Sequence, residues 1–249
     1  MTESFQKQLL LETQLLGLQL TEEQCNMLYQ YYEMLIEKNK VMNLTAITEE
    51  KDVITKHFTD SLALIKILED TDVSRETFFK DKSLIDVGTG AGFPGLVLKI
   101  IFPELRVVLT DSLKKRLTFL DDVISCLHLK KIETLHGRAE DLGHQKQLRE
   151  QFDYAVSRAV ANMSTLAEYD LPFVKQNGLF TAYKSADMRE ELSDAENAIH
   201  ILGGKIEKIV RYTLPDSDIL RSLIVVKKTG NTPARYPRKA GTPQKDPIH

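Results

Sequence analysis

The sequence predicts an α/β fold: a mostly parallel sheet covered by helices on both faces, closed by a C-terminal antiparallel hairpin and preceded by a helical extension. Three observations predict it. Apolar residues recur at helical spacing from Phe5 to about Leu68. From Ser83 onward short apolar runs alternate with longer helical ones, the succession that builds βαβ units. After Gly203-Gly204 the helical pattern stops, and two strand-like runs flank the polar turn Pro215-Asp216-Ser217-Asp218.

Taken in order, the helical section carries Leu9, Leu10 and Leu16, then Met27, Leu28, Tyr31, Tyr32 and Leu35, then Leu62, Leu64, Ile65 and Leu68. Thr21 followed by Gln24 fits a capping box. The stretch Asn39 to Thr45 reads as a helix break, with Asn39 and Asn43 as capping residues. Glu69 to Lys82 is polar and aperiodic, a connection. Strands are expected at Leu84 to Val87, Arg106 to Thr110, Lys131 to His136, Tyr154 to Ser157 and Leu179 to Tyr183. Helices are expected after Gly92, after Ser112, around Gln145 to Glu150, around Met163 to Val174 and around Met188 to Leu202. Ile206 to Thr213 and Leu223 to Lys228 form the closing hairpin. This divides the chain into a helical extension (1–75), a sheet domain (76–230) and a basic tail (231–249).

With 249 residues, 42% hydrophobic and 28% charged, one substantial core is expected. The start, MTESFQKQLL, lacks the pattern of a secretory leader, and no apolar run approaches the roughly 18 residues of a membrane span. The reading is a cytoplasmic monomer with no membrane partner and no metal. Cys25 and Cys126 lie in apolar helical patterns without ligand spacing, so buried free thiols are expected. A net charge of -3 leaves room for a local basic patch but not for a uniformly basic coat.

The chemistry sits in Asp86-Val87-Gly88-Thr89-Gly90-Ala91-Gly92-Phe93-Pro94-Gly95, which follows a strand and opens a helix. Glycines there let backbone approach a ligand, and helix N-terminal amides face it. Pro94 suits the first helical turn. A dinucleotide fingerprint wants a small residue where this chain has Phe93, which argues against a nicotinamide oxidoreductase. The second strand ends at Asp111, 23 positions after Gly88, about where an acid accepts ribose hydroxyls. Asp111 or Ser112 equally suits a helix N-cap. Ala139 and Glu140 follow the third strand and Arg158 the fourth; Arg158 and Lys184 read either as ligand-pairing cations or as members of ion pairs.

These motifs together carry a resemblance. DVGTGAGFPG, DSLKKRLTFL (Asp111 to Leu120), GRAE (Gly137 to Glu140), SRAV (Ser157 to Val160), the terminal RYPRKAGTPQKDPI, NKVMNLTAI (Asn39 to Ile47) and HFTDSL (His57 to Leu62) resemble the RsmG (GidB) family, bacterial 16S ribosomal RNA guanine-N7 methyltransferases. The resemblance implies a class I methyltransferase (Rossmann-like) sheet, S-adenosyl-L-methionine as cofactor, and 16S rRNA or the small ribosomal subunit as partner. It implies cofactor contacts near Gly90, Gly95, Ala139, Glu140 and Arg158, with Asp111 beside the ribose; Gly88, Gly92, Phe93 and Ser112 complete the expected set. The tail's Arg235, Arg238, Lys239 and Lys245 are then phosphate contacts and Tyr236 a base-stacking ring on an extended segment. Trimming the chain after Thr232 is expected to weaken RNA binding, whereas changes at Gly90 or Asp111 weaken cofactor binding. No general base is expected, because guanine N7 already bears a lone pair. His57, Asp60 and Ser61 share a helix face without relay geometry; the family reading has His57 and Asp60 touching RNA or tying the helices to the sheet. A noncatalytic RNA-binding or ribosome-assembly factor with a retained fold is the alternative.

Overall fold

A computed structural model describes residues 1–69, 71–158, 161–185 and 188–249. Ala159 and Val160, the end of the SRAV motif, lie outside the described residues. The N-terminal section is helical throughout: α1 (Glu3–Leu15), α2 (Glu22–Met42), and a run of α3 (Glu50–Val53), a π-helical stretch (Ile54–Thr59), α4 (Asp60–Leu62) and a 3-10 stretch (Ala63–Leu68). The Thr21 capping box forms as expected, each partner holding the other's backbone N–H. Asn43 ends α2 in the left-handed region, while the Asn39 side chain bonds both the N–H and the carbonyl of Thr45 and so ties down the following loop. The expected connection Glu69 to Lys82 contains a short helix, α5 (Arg75–Phe79), because Ser74 caps it through the N–H of Thr77.

The sheet strands are β1 (Ser83–Val87), β2 (Arg106–Asp111), β3 (Ile132–His136), β4 (Phe152–Arg158), β5 (Val174–Ser185), β6 (Gly204–Thr213) and β7 (Leu220–Lys228). Their order is β3-β2-β1-β4-β5-β7-β6, with the first five parallel and β7 antiparallel to both neighbours. Helices α6 (Gly95–Ile101) and α7 (Lys114–Cys126) carry the chain outward from β1 to β3. The chain then returns to place β4 against the other side of β1. The direction of winding therefore reverses between β1 and β4, the place where open α/β sheets bind ligands beyond the strands' carboxyl ends.

Alternate residues of each strand face opposite layers. Leu84, Val107, Leu109 and Val225 join a buried cluster with Phe5, Leu9, Leu28, Tyr31 and Leu35, so the N-terminal helices share one core with the sheet. Ile85, Val108, Phe180 and Val226 join the opposite cluster, which α9 (Met163–Asp170) and α10 (Arg189–Ile201) cover.

Several expectations need correction. The segment 145–150 is a chain of turns, not a helix; the helical turn comes earlier, as α8 (Ala139–Leu142), and Arg149 is committed to distant carbonyls instead. Helix α9 ends at Asp170, before Pro172, and β5 begins at Val174. Pro94 precedes the first turn of α6 instead of standing in it, after a cis Phe93-Pro94 bond. Cys25 is buried, but Cys126 is exposed at the end of α7. The tail is not extended: it lies along the domain, ends in α11 (Thr242–Lys245) and buries Tyr236.

Candidate functional site

The glycine loop is held from below. Both Gly88 and Thr89 donate backbone N–H bonds to the carbonyl of Thr110 on β2, at 3.0 and 2.9 Å. Gly92 sits at φ +103°, where a Cβ would lie 2.6 Å from the Tyr31 hydroxyl and 2.8 Å from Leu120. That hydroxyl donates to the Ala91 carbonyl, so α2 clamps the loop directly. Gly90 differs: at φ +62° its Cβ position meets nothing within 4 Å. Its open side faces a cavity of about 420 Å³ lined by Thr45, His57, Phe93, Asp111 and Arg158 among others.

A second cavity of about 180 Å³ adjoins it through Gly88, Asp111 and Ser112, and continues along Gly137, Arg138, Ala139, Glu140 and Tyr169. The pair lies at the carboxyl ends of β1, β2 and β3 and has the scale of a small-molecule cleft, about 300–1,000 Å³. A further cavity of about 480 Å³ lies at the strands' opposite ends, beside Ser83, Arg106 and Phe152, away from the loop.

Asp111 does not cap α7, which has no side-chain cap, and neither does Ser112. Its Oδ1 accepts the Leu113 N–H at 2.8 Å, while Oδ2 accepts the Gly90 N–H at 3.0 Å and Arg116 Nη1 at 3.1 Å. A carboxylate has about four acceptor positions. The side chain is thus fixed in orientation and keeps acceptor capacity beside the cleft, which is what the donating hydroxyls of a ribose diol require. Beneath it Asp86 is fully buried. Oδ2 accepts the Thr89 hydroxyl (2.7 Å) and the Gly95 N–H (2.8 Å), which shapes the loop from inside. Its Oδ1 is the one buried side-chain polar atom without a partner among the described residues. Burial pushes the Asp86 carboxyl up to about 6, against the lowering effect of those hydrogen bonds.

Arg158 is the centre of a buried junction. Its guanidinium donates to Asp60 Oδ2 at 3.0 Å, to the Lys56 carbonyl at 3.2 Å and to His57 Nδ1 at 3.2 Å, and lies 5.1 Å from the centroid of Phe93. Arginine only donates, so His57 Nδ1 carries no proton and Nε2–H points to Thr45 Oγ1, 2.8 Å away. Burial first, then the Arg158 charge, lowers the His57 pKa to about 3, and the neutral ring stacks on Phe93 at 4.3 Å. Asp60 Oδ1 accepts the Tyr212 hydroxyl at 2.7 Å. Ser61 donates to the His57 backbone carbonyl, so these three side chains form no hydrolytic relay; instead His57 and Asp60 tie the helical section to the sheet through Arg158 and Tyr212.

The structure thus brings Gly88, Gly90, Phe93, Asp111, Ser112, Ala139, Glu140 and Arg158 together around the two cavities. Gly92 and Gly95 stand behind the wall, in packing and in the Asp86 bond. Lys184 is committed to Glu191 and the Ala161 carbonyl, both at 2.6 Å. In the tail, Tyr236 is buried, Arg238 grips the carboxylate of Glu168 and the Arg235 guanidinium lies 5.0 Å from the centroid of the Tyr236 ring, which leaves Lys239 and Lys245 as tail cations without an ion pair or ring contact among the described residues. Sequence reasoning missed Asp86, Thr45, Tyr169 and Gln244. Asp86, Thr45 and Gln244 each lie inside a motif that carries the resemblance, whereas Tyr169 lies in none of them. Among the described residues no helix is long and apolar enough to cross a membrane, and no group of His, Cys, Asp or Glu could hold a metal ion.

The family model for rRNA small subunit methyltransferase G (GidB) matches residues 24–220. The ribosomal RNA small subunit methyltransferase G of Alkaliphilus oremlandii is 48% identical over 233 residues, 94% of each chain. That of Lachnoclostridium phytofermentans is 50% identical over 94% of this chain and 93% of its own. Among solved structures, MtNAS in complex with MTA and tNA superposes with a TM-score of 0.54 at 15% identity, over 81% of this chain and 74% of that one. TrmN from Thermus thermophilus does so at 0.50 and 14%, over 70% and 53%. The two structures speak to the fold, a class I methyltransferase sheet with an antiparallel C-terminal edge. The sequence matches, spread over nearly the whole chain, establish that it belongs to the rRNA small subunit methyltransferase G family.

Proposed function

We propose that this enzyme transfers the methyl group of S-adenosyl-L-methionine to N7 of a guanine in the 16S rRNA of the small ribosomal subunit. The observation that carries the reading is the open Gly90 beside the oriented Asp111 carboxylate, at the reversal point of the sheet in a chain of this family. When bound, the cofactor supplies an electrophilic methyl on a positively charged sulfur. Asp111 would accept its ribose hydroxyls, Gly88 and Gly90 would admit it close to backbone, and Ala139 and Glu140 would flank the purine. Phe93, Ser112 and Arg158 complete the cleft; Arg158 reaches the methionine carboxylate only by sharing its guanidinium with Asp60.

The protein's task is alignment. Guanine N7 needs no proton removed, and His57, neutral and donating to Thr45, offers no exposed base. Holding N7 in line with the transferred carbon is the kind of entropic contribution worth up to about 7–11 kcal/mol. Arg235, Lys239 and Lys245 supply phosphate contacts from the tail, with Arg238 and Tyr236 supporting the segment that bears them. The three-part division at residues 75 and 230 and a cytoplasmic, monomeric enzyme belong to the same reading. Incubation with methyl-labelled S-adenosyl-L-methionine and either small subunits or deproteinised 16S rRNA, followed by nuclease mapping and mass spectrometry, tests it. Label is expected on one guanine base. No transfer to either substrate refutes catalysis and leaves a noncatalytic RNA-binding protein.

A further inference from the structure

Residues 233–249 form a strap anchored at several points. Arg149 Nη1 and Nη2 donate to the carbonyls of Tyr236 and Thr232, both at 2.8 Å, and Pro237 accepts from His144 Nε2 at 2.8 Å. Glu168 on α9 is fully buried, and its cation among the described residues is Arg238 of the strap, which donates through its backbone N–H (2.6 Å), Nε (3.0 Å) and Nη2 (2.8 Å). A buried carboxylate without a partner is costly, so strap docking is built into the core of the domain. Beyond Arg238 the chain turns toward the cleft. The Gly241 N–H donates to Glu140 Oε1 at 2.8 Å, and the Thr165 hydroxyl to the Pro243 carbonyl at 2.9 Å. These two bonds hold the segment that brings Gln244 into the lining of the smaller cavity, which Asp111 and Ala139 also line.

We propose that the strap is the outer wall of the cofactor cleft, and that Gln244 hydrogen-bonds the purine edge of the bound nucleoside. The inference rests on the S-adenosyl-L-methionine reading above. Asp111, on β2, marks the ribose. The purine then lies farther out, over the exit of β3 where Glu140 stands, and the Glu140–Gly241 bond places Gln244 above that exit. A glutamine amide offers an acceptor and two donors, the complement of a purine amino group beside a ring nitrogen. Gln244 itself is exposed and packs into no core, so its change tests the contact and not the fold.

Calorimetric titration of S-adenosylhomocysteine and of 5′-methylthioadenosine into wild type, Q244A and R238A decides the matter. Q244A is expected to weaken both ligands by the same factor, about three- to tenfold, because they share the nucleoside end, with the melting temperature of the free protein unchanged. R238A is expected to weaken both at least as much and to raise hydrogen exchange over 233–249, with protection restored at saturating S-adenosylhomocysteine. Wild-type affinity in Q244A overturns the contact, and wild-type affinity in both variants overturns the wall. If wild type binds neither ligand, the cofactor reading falls first and the strap inference with it.

Discussion

Replacing Asp60 by alanine should destabilise the protein by about 3–5 kcal/mol. The side chains of Arg158 and Asp60 are only 12% and 4% exposed, so this pair belongs to the buried regime and not to the surface regime of about 0–1 kcal/mol. Removal of Asp60 leaves the guanidinium buried, with the Lys56 carbonyl and the His57 ring as its remaining acceptors among the described residues, and takes away the acceptor of the Tyr212 hydroxyl. Arg221, 3.8 Å from Asp60 and half-buried, adds little. Urea unfolding of wild type, Asp60→Ala, Arg158→Ala and the double variant forms a cycle. The double variant is expected to lose about 2–3 kcal/mol less than the two single losses added together, since the second substitution removes a charge the first has stranded. A loss below about 1 kcal/mol in Asp60→Ala, or additive losses in the double variant, would show that the junction is hydrated like a surface pair and would refute the reasoning.

Two further predictions follow from the loop. Gly90→Ala should cost about 1 kcal/mol of stability, from its left-handed backbone alone, yet weaken S-adenosyl-L-methionine binding about tenfold by filling the cleft; Gly92→Ala, whose Cβ collides with Tyr31 and Leu120, should cost several times more stability. Calorimetry and urea midpoints on the same two proteins check both, and equal stability losses would contradict the assignment of the two glycines. Asp86 gives a pH signature. Its folded pKa, about 6, lies above the ordinary 3.8, so the native state binds the extra proton, and the stability this confers is present below about pH 4 and lost as pH rises to about 6. Asp86→Asn should remove that decline. The variant's stability relative to wild type should therefore rise by about 1–3 kcal/mol between pH 4 and 7, and a flat difference would count against the raised value.

How far the sequence disclosed this arrangement depended on the range of the interaction. Leu84 to Val87 and Arg106 to Thr110 were legible as strands because a buried parallel strand needs only a short apolar run bounded by turns. The glycine loop was legible because its backbone demands are local, and Asp111 because the length of one βαβ unit fixes where the next strand ends. Asp60 and Arg158 are 98 positions apart, and no local pattern pairs them. The helix expected at Gln145 to Glu150 failed for a related reason: Arg149 is spent on strap carbonyls more than 80 positions away, and the local chain follows that tether. Tyr236 and Arg238 carry the composition of an RNA-binding tail. Their burial depends on Glu168, an acid that sequence alone leaves on the surface of a helix.

The anchoring of the strap also imposes an order on synthesis. Glu140, Arg149 and Glu168 are made well before Arg238 and Gly241, so a growing chain holds an acid destined for the interior with its counter-ion still unwritten. Helix α9 cannot settle fully onto the sheet until that arginine arrives, because the alternative is a desolvated, unpaired carboxylate. Arrival of Arg238 is then expected to be a step in folding, and a chain truncated before it is expected to leave that face of the sheet loosely covered and open to proteases.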